Sequence, residues 1–213
     1  MRTDDLVSML AAGAGAVRPK QAARRHASAV IWGLLGAALL MAMLLGPRPD
    51  LATAVLLPMF WIKLAFVAGI AAASLFAALR LSRPGVRLTW VLGALAAPVL
   101  AMWLLAAIAL VRADAAQRAI LFFGDTWDVC PFLITMLSVP AFIAAMWAMK
   151  GLAPTRLRLA GAAAGLLAGA LGALVYCLHC PEMGAPFIAF WYLLGMLIPA
   201  AAGALLGPRL LRW

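Results

Sequence analysis

Six long apolar segments, separated by short polar stretches, restrict the possible folds of this chain more than any other feature. They lie at about 27–46, 57–79, 88–111, 130–149, 159–178 and 187–206. A helix needs roughly 20 residues to cross about 30 Å of hydrocarbon. Only 11% of the residues are charged, whereas soluble domains carry about 25%. The sequence therefore predicts an all-α polytopic membrane protein, a bundle of six transmembrane helices without a separate soluble domain.

The distribution of lysine and arginine predicts which side of the membrane each loop occupies. If the N-terminus is cytoplasmic, thirteen of the seventeen basic residues lie on the cytoplasmic side, which is the usual bias. The other four are Arg48, Lys63, Arg112 and Arg118. The net charge of +10 is thus attributed to topology, and no direct nucleic-acid binding is expected. We predict a cytoplasmic N-terminal segment 1–26, a transmembrane domain 27–206 and a cytoplasmic C-terminal tail 207–213.

Two features inside the spans lead to further expectations. Gly161, Gly165 and Gly169 recur every four residues in the fifth span. Such spacing leaves a smooth face that another helix backbone can approach closely, and we expect this packing inside the bundle rather than at a dimer interface. Lys63 lies just inside the second span, and its long side chain is expected to extend outward to the membrane surface.

All three cysteines fall on the outer side in this topology. Cys130, in the sequence GDTWDVCPF, lies where the fourth span begins, while Cys177 and Cys180, in YCLHCPE, lie where the fifth ends. Because antiparallel neighbours with short loops bring these segments to one membrane surface, the three sulfurs can converge. Free thiols tend to pair in the oxidising space outside a bacterial inner membrane. An odd number of cysteines leaves at least one thiol without a disulfide partner in the chain.

Three interpretations of the thiols remain open from the residues alone. They can be structural, as buried small residues or a passive disulfide. Cys177 and Cys180 have redox-motif spacing, and His179 beside them would lower a thiol pKa. Alternatively, the thiolates and the imidazole form a sensor that binds a soft metal or reacts with oxidants, with Glu182 as a weaker, optional ligand.

Two rival functions follow from these interpretations. A membrane thiol-disulfide oxidoreductase using Cys177 and Cys180 would need a bound quinone or a second cysteine pair, and neither is visible in the sequence. A small heavy-metal transporter should place polar or thiol side chains at mid-membrane depth. The centres of the spans are instead nearly all Ala, Leu, Gly, Met and Trp.

Residues 3–12 are predicted to form a short helix ahead of the first span. Thr3 can cap it, and Asp4 and Asp5 lie in its first turn, where the helix dipole favours anions. Leu6 and Leu10 are four residues apart and give the helix an apolar stripe. On physical grounds alone, an interfacial stub and a partner-binding helix fit this pattern equally well.

Three separated motifs resemble one known family. HCPE, followed by FIAFWYLLGMLIPAAAGALLGPRLLRW, is similar to the C-terminal signature of the NrsF-type anti-sigma factors. MRTDDLVSMLA and DTWDVCPF resemble the N-terminal and cysteine motifs of the same family. These are six-span inner-membrane proteins of proteobacteria that hold an extracytoplasmic-function sigma factor inactive.

The resemblance implies a regulator without catalytic activity or a permanent cofactor. It implies that Cys130 and Cys180 are paired sensory cysteines and that heavy-metal or oxidative stress relieves repression. His179 is then a candidate third ligand for a transiently bound heavy-metal ion, while Cys177 has no place in the motif. For the N-terminal helix the resemblance favours the sigma factor as partner. The predicted contact residues are Asp4, Asp5, Leu6 and Leu10.

Overall fold

The computed structural model describes residues 2–13, 20–83, 85 and 89–212, and the regular structure in this part of the chain is helical. Nine helices follow one another within these residues. They are α1 (Thr3–Gly13), α2 (Gln21–Leu44), α3 (Leu51–Ala54), α4 (Pro58–Leu81), α5 (Thr89–Arg112), α6 (Ala115–Phe123), α7 (Cys130–Lys150), α8 (Leu157–Tyr176) and α9 (Ala185–Leu210). A π-helical turn at Ile188–Tyr192 lies within α9.

Six of these helices (α2, α4, α5, α7, α8 and α9) are long and apolar enough to cross a membrane. The predicted all-α architecture with six membrane spans is therefore confirmed. Some boundaries differ from the prediction. The first span starts at Gln21 rather than about residue 27, because the helix continues through the polar residues that precede its apolar part. The short helices α3 and α6 were not predicted.

The fifth span, α8, lies at the centre of the bundle. It is the most buried of the six spans and packs against α9, α7 and α4. By contrast, α5 is the least buried span and contacts α4 and the first turns of α9. The core around α8 extends to the end of the bundle where α8 leads into α9, and the three cysteines belong to it.

The glycines of α8 permit this central position. A Cβ at Gly161 would overlap the Gly203 carbonyl oxygen, and a Cβ at Gly165 would overlap the Pro199 carbonyl oxygen. Gly203 faces the Gly161 carbonyl in the same way, so α8 and α9 approach each other backbone to backbone. The expected close packing inside the bundle is confirmed, because this glycine face is covered by α9.

The predicted N-terminal helix is present as α1. Its first turn is closed by the Asp5 carboxylate, which accepts the Arg2 backbone N–H at 3.3 Å. The helix already begins at Thr3, so Thr3 is not its N-cap as expected, and the bond observed there is the one between Asp5 and the residue that precedes the helix. The Leu6 and Leu10 side chains are 42% and 66% exposed, which leaves the apolar stripe of α1 free of contacts that would bury it.

Candidate functional site

Two of the three cysteines meet at one end of the bundle. Cys130 is the first residue of α7, and Cys180 lies in the connection between α8 and α9. Both side chains are fully buried in one hydrophobic cluster, and the two thiols are close enough to influence each other's ionisation. Cys177 directly follows α8 and is buried beside Tyr192. The fold thus brings the thiol-bearing segments together, as expected from antiparallel neighbours, and all three cysteines are free thiols.

The backbone after α8 explains the position of Cys180. The Tyr176 carbonyl accepts hydrogen bonds from the backbone N–H groups of His179 and Cys180, at 3.0 and 2.9 Å. Pro181 follows and has no N–H with which to continue a helical pattern. The chain therefore leaves α8 within one turn, and Cys180 lies between the ends of two helices.

Lys63 of α4 holds this connection from inside the bundle. Its side chain is fully buried. The ammonium donates hydrogen bonds to the backbone carbonyls of Cys180 and Glu182, at 3.1 Å each, and lies 4.9 Å from the centre of the Tyr192 ring. The expectation that Lys63 extends outward to the membrane surface is therefore wrong. In apolar surroundings a cation must find acceptors, and the carbonyls of the connection are not used by any helix.

Arg48 reaches the same carbonyl from the loop after α2. Its Nη1 donates to the Cys180 carbonyl at 3.2 Å, and its backbone N–H donates to the Leu178 carbonyl at 3.0 Å. The rest of the guanidinium forms a bidentate pair with Asp50, with both N–O distances 2.7 Å. These bonds lower the pKa of the Asp50 carboxyl. Two cations from different segments thus fix the backbone at Cys180.

The surroundings of Cys180 and Cys177 differ in their effect on ionisation. The hydrogen bond from the Cys130 thiol lowers the pKa of Cys180, and the nearby Lys63 ammonium acts in the same direction, while burial opposes both. For Cys177 burial dominates and raises the pKa to about 12. Of these two thiols Cys180 is therefore the more easily ionised, and hence the better nucleophile or soft ligand near neutral pH.

The structure does not add His179 to the thiol pair. Its Nδ1 lies 2.8 Å from the Gly46 carbonyl oxygen and donates to it, which turns the imidazole toward the loop after α2. Among the residues that the structure describes, no three His, Cys, Asp or Glu side chains are grouped closely enough to hold a metal ion. The expected ligand set of Cys130, Cys180 and His179 is thus not assembled here. The sensory role of the two thiols stays a prediction.

Glu182 has a different partner from the one expected. One of its carboxylate oxygens accepts the Asp125 backbone N–H at 2.8 Å and lies 3.3 Å from the Thr126 hydroxyl. Instead of acting as an optional metal ligand, the carboxylate binds the turn that follows α6. The Trp191 indole N–H also donates to the Phe122 carbonyl at 2.9 Å. The segment formed by α6 and this turn is therefore fastened to the start of α9.

The sequence did not identify Lys63 and Arg48 as parts of this site. For Lys63 a signal was present, because an ionisable residue inside an apolar span marks a functional position by default. Arg48 stands between two prolines in a loop and gives no comparable signal.

The start of α2 lies far from the thiols. His179 contacts Gly46, which lies just beyond the end of α2. The start of α2 is therefore at the opposite end of a 24-residue helix, and such a helix is about 36 Å long. The helix α1 precedes that start. Within α1, Asp4, Asp5, Leu6 and Leu10 are exposed.

Comparison with known proteins gives a consistent result over the whole chain. The sequence model of the family described as "NrsF: Negative regulator of sigma F" matches residues 10–213. The chain is 64% identical to the "Probable anti-sigma-F factor NrsF" of Azospira oryzae, with 100% of both chains covered. It is 41% identical to the "Anti-sigma-F factor NrsF" of Caulobacter vibrioides, again with 100% of both covered. No solved structure matches the chain.

Proposed function

The chain belongs to the NrsF family of negative regulators of sigma F, and from this we propose that it is a bacterial inner-membrane anti-sigma factor whose outer thiols control release of an extracytoplasmic-function sigma factor. As a regulator it needs no catalytic group. The observation that carries the proposal is the meeting of Cys130 and Cys180 in one buried site.

The proposed orientation places the thiols outside and the partner inside. It is supported by the thirteen basic residues on the side of the N-terminus, against four on the other. The sigma factor is then held at the cytoplasmic face, where α1 is attached.

The helix α1 is the proposed contact with the sigma factor. Its apolar stripe is exposed in the chain alone, with Leu6 42% and Leu10 66% accessible. A helix of this kind binds by placing such a stripe in a groove of its partner. Asp4 and Asp5 would pair with basic residues that the sigma factor otherwise uses for promoter phosphates. Burial of each leucine contributes about 1.5–3 kcal/mol.

The proposed signal is a chemical change at Cys130 and Cys180. An oxidant removes two electrons and two protons from the two thiols as the sulfur–sulfur bond forms. A soft metal ion that binds both sulfurs after they lose their protons would draw the same segments together. Cys177 is the weaker candidate, because burial raises its pKa and it lies beside Tyr192. For that reason the arrangement gives no support to an oxidoreductase that uses Cys177 and Cys180.

A change at the thiols has a physical route to the spans. The Cys180 carbonyl is bound by Lys63 of α4 and by Arg48 in the loop after α2, so a shift of this backbone changes the hydrogen bonds of one transmembrane helix and of the loop that follows another. A shift from about 99% bound to about 99% released sigma factor needs a differential free energy of about 5.5 kcal/mol. The reaction of the thiols must therefore stabilise the released helix arrangement by that amount relative to the bound arrangement.

The experiment compares sigma-dependent transcription in cells that carry the native chain or its cysteine variants, before and after cadmium, chromate or peroxide. Cys130→Ser and Cys180→Ser should each blunt induction, and the double variant should be no worse than either one. Cys177→Ser is the matched control, since it removes a buried thiol of the same site. Normal induction in the double variant would show that the sensor lies elsewhere.

A further inference from the structure

The two cysteines of the thiol pair are fifty residues apart in sequence, and the Glu182 side chain joins the segments that carry them. Its carboxylate accepts the Asp125 backbone N–H at 2.8 Å and the Thr126 hydroxyl at 3.3 Å. Both partners belong to the turn before α7, whose first residue is Cys130. Glu182 itself follows Cys180 by two residues, so the contact closes the gap between the two segments.

Gly124 provides the space for this contact. Its φ of +56° lies in the left-handed region that favours glycine. A Cβ at this position would lie 2.5, 2.6 and 2.7 Å from the three atoms of the Glu182 carboxyl group. A larger residue would displace the carboxylate from the Asp125 N–H. The turn is therefore shaped to receive a carboxylate from the other segment.

Hydrogen bonds continue from this contact to both cysteines. On one side, the Cys130 backbone N–H donates to the Thr126 carbonyl at 2.9 Å. On the other side, Lys63 binds the carbonyls of both Cys180 and Glu182. The Glu182 carboxylate thus stands in the middle of a short series of hydrogen bonds that leads from one cysteine backbone to the other.

We propose that Glu182 is a positioning residue for the thiol pair, because its carboxylate fastens the turn before Cys130 to the connection that carries Cys180. The carboxylate takes no part in the thiol chemistry and acts through the backbone. The proposal rests on the proposed sensory role of the two thiols. A sulfur–sulfur bond forms quickly only while both sulfurs stay side by side, and this contact keeps their segments together.

The test measures the rate of Cys130–Cys180 disulfide formation in the full chain in native membranes, with diamide as the oxidant that takes up the two electrons and two protons. Glu182→Ala removes the carboxylate, and Gly124→Ala removes the space that it occupies. Each variant should lower the rate of disulfide formation about tenfold, as expected for loss of a charge-assisted contact. Glu182→Gln keeps an acceptor oxygen and should stay within about threefold of the native rate, since a neutral bond is roughly half as strong. Asp128→Asn alters an exposed carboxylate of the same turn and should leave the rate unchanged.

Native rates in both alanine variants would overturn the positioning role. An equally large loss in Glu182→Gln would overturn it too, because the acceptor oxygen would then not be the important feature. Release of the sigma factor is followed in the same membranes. If the variants slow the disulfide as expected but oxidation of the native chain does not release the sigma factor, the positioning role stands and the proposed function fails.

Discussion

Replacement of Gly165 by alanine should weaken the whole bundle, because this glycine lies where α8 and α9 are closest. The added Cβ would overlap the Pro199 carbonyl oxygen and lie 2.7 Å from the Pro199 carbonyl carbon and 2.9 Å from the Ala200 Cα. All three atoms belong to the backbone, so no side chain can rotate to make room. The two helices must separate instead.

The expected cost follows from the extent of this interface. Separation by about 0.5–1 Å removes a quarter to a half of the dispersion energy of each contact. Overpacked sites commonly lose about 1–3 kcal/mol. We expect the upper end of that range, because α8 and α9 form the most extensive helix pair among the described residues. For a chain of this size about 3 kcal/mol corresponds to a fall in melting temperature of roughly 6–12 °C.

The assay heats purified protein in detergent and measures the fraction that remains monodisperse by size-exclusion chromatography. Gly93→Ala is the matched control, because Gly93 is an exposed glycine of α5 and a Cβ there would meet nothing within 4 Å. Alanine in an open helical position should be neutral or stabilising by about 0.5–1 kcal/mol. Equal melting temperatures for the two variants would refute the close backbone packing of α8 and α9.

Two further predictions concern the partner and the topology. Leu6→Asp or Leu10→Asp should weaken co-purification of the sigma factor by about tenfold to a hundredfold, because each removes a buried leucine contact. Ser8→Asp, a substitution at a polar position of the same helix, should retain binding, and full binding by both leucine variants would remove α1 from the interface. An impermeant maleimide should label Asp128→Cys in intact spheroplasts but label Arg24→Cys only after lysis, since both positions are exposed and the three native thiols are buried. The opposite pattern of labelling would invert the proposed orientation.

The spans, the glycine face of α8 and the helix α1 could be predicted from the sequence because each depends on local pattern. A run of about 20 apolar residues needs a helix in lipid, where every backbone N–H and C=O must be satisfied within the segment. Glycine every fourth residue defines a smooth face whatever helix covers it. The amphipathic spacing of Leu6 and Leu10 likewise acts within a few turns.

The site itself depended on contacts between segments that are distant in sequence. Nothing local indicates that Lys63 turns inward to the Cys180 carbonyl, that His179 bonds to Gly46, or that Glu182 binds the turn after α6. These three side chains take partners that come within reach once the helices have packed, because an unpaired polar group in apolar surroundings costs free energy. The sequence therefore determined which residues stand at this end of the bundle, whereas the tertiary structure decided which of them pair, since pairing depends on distances that only the packed helices define.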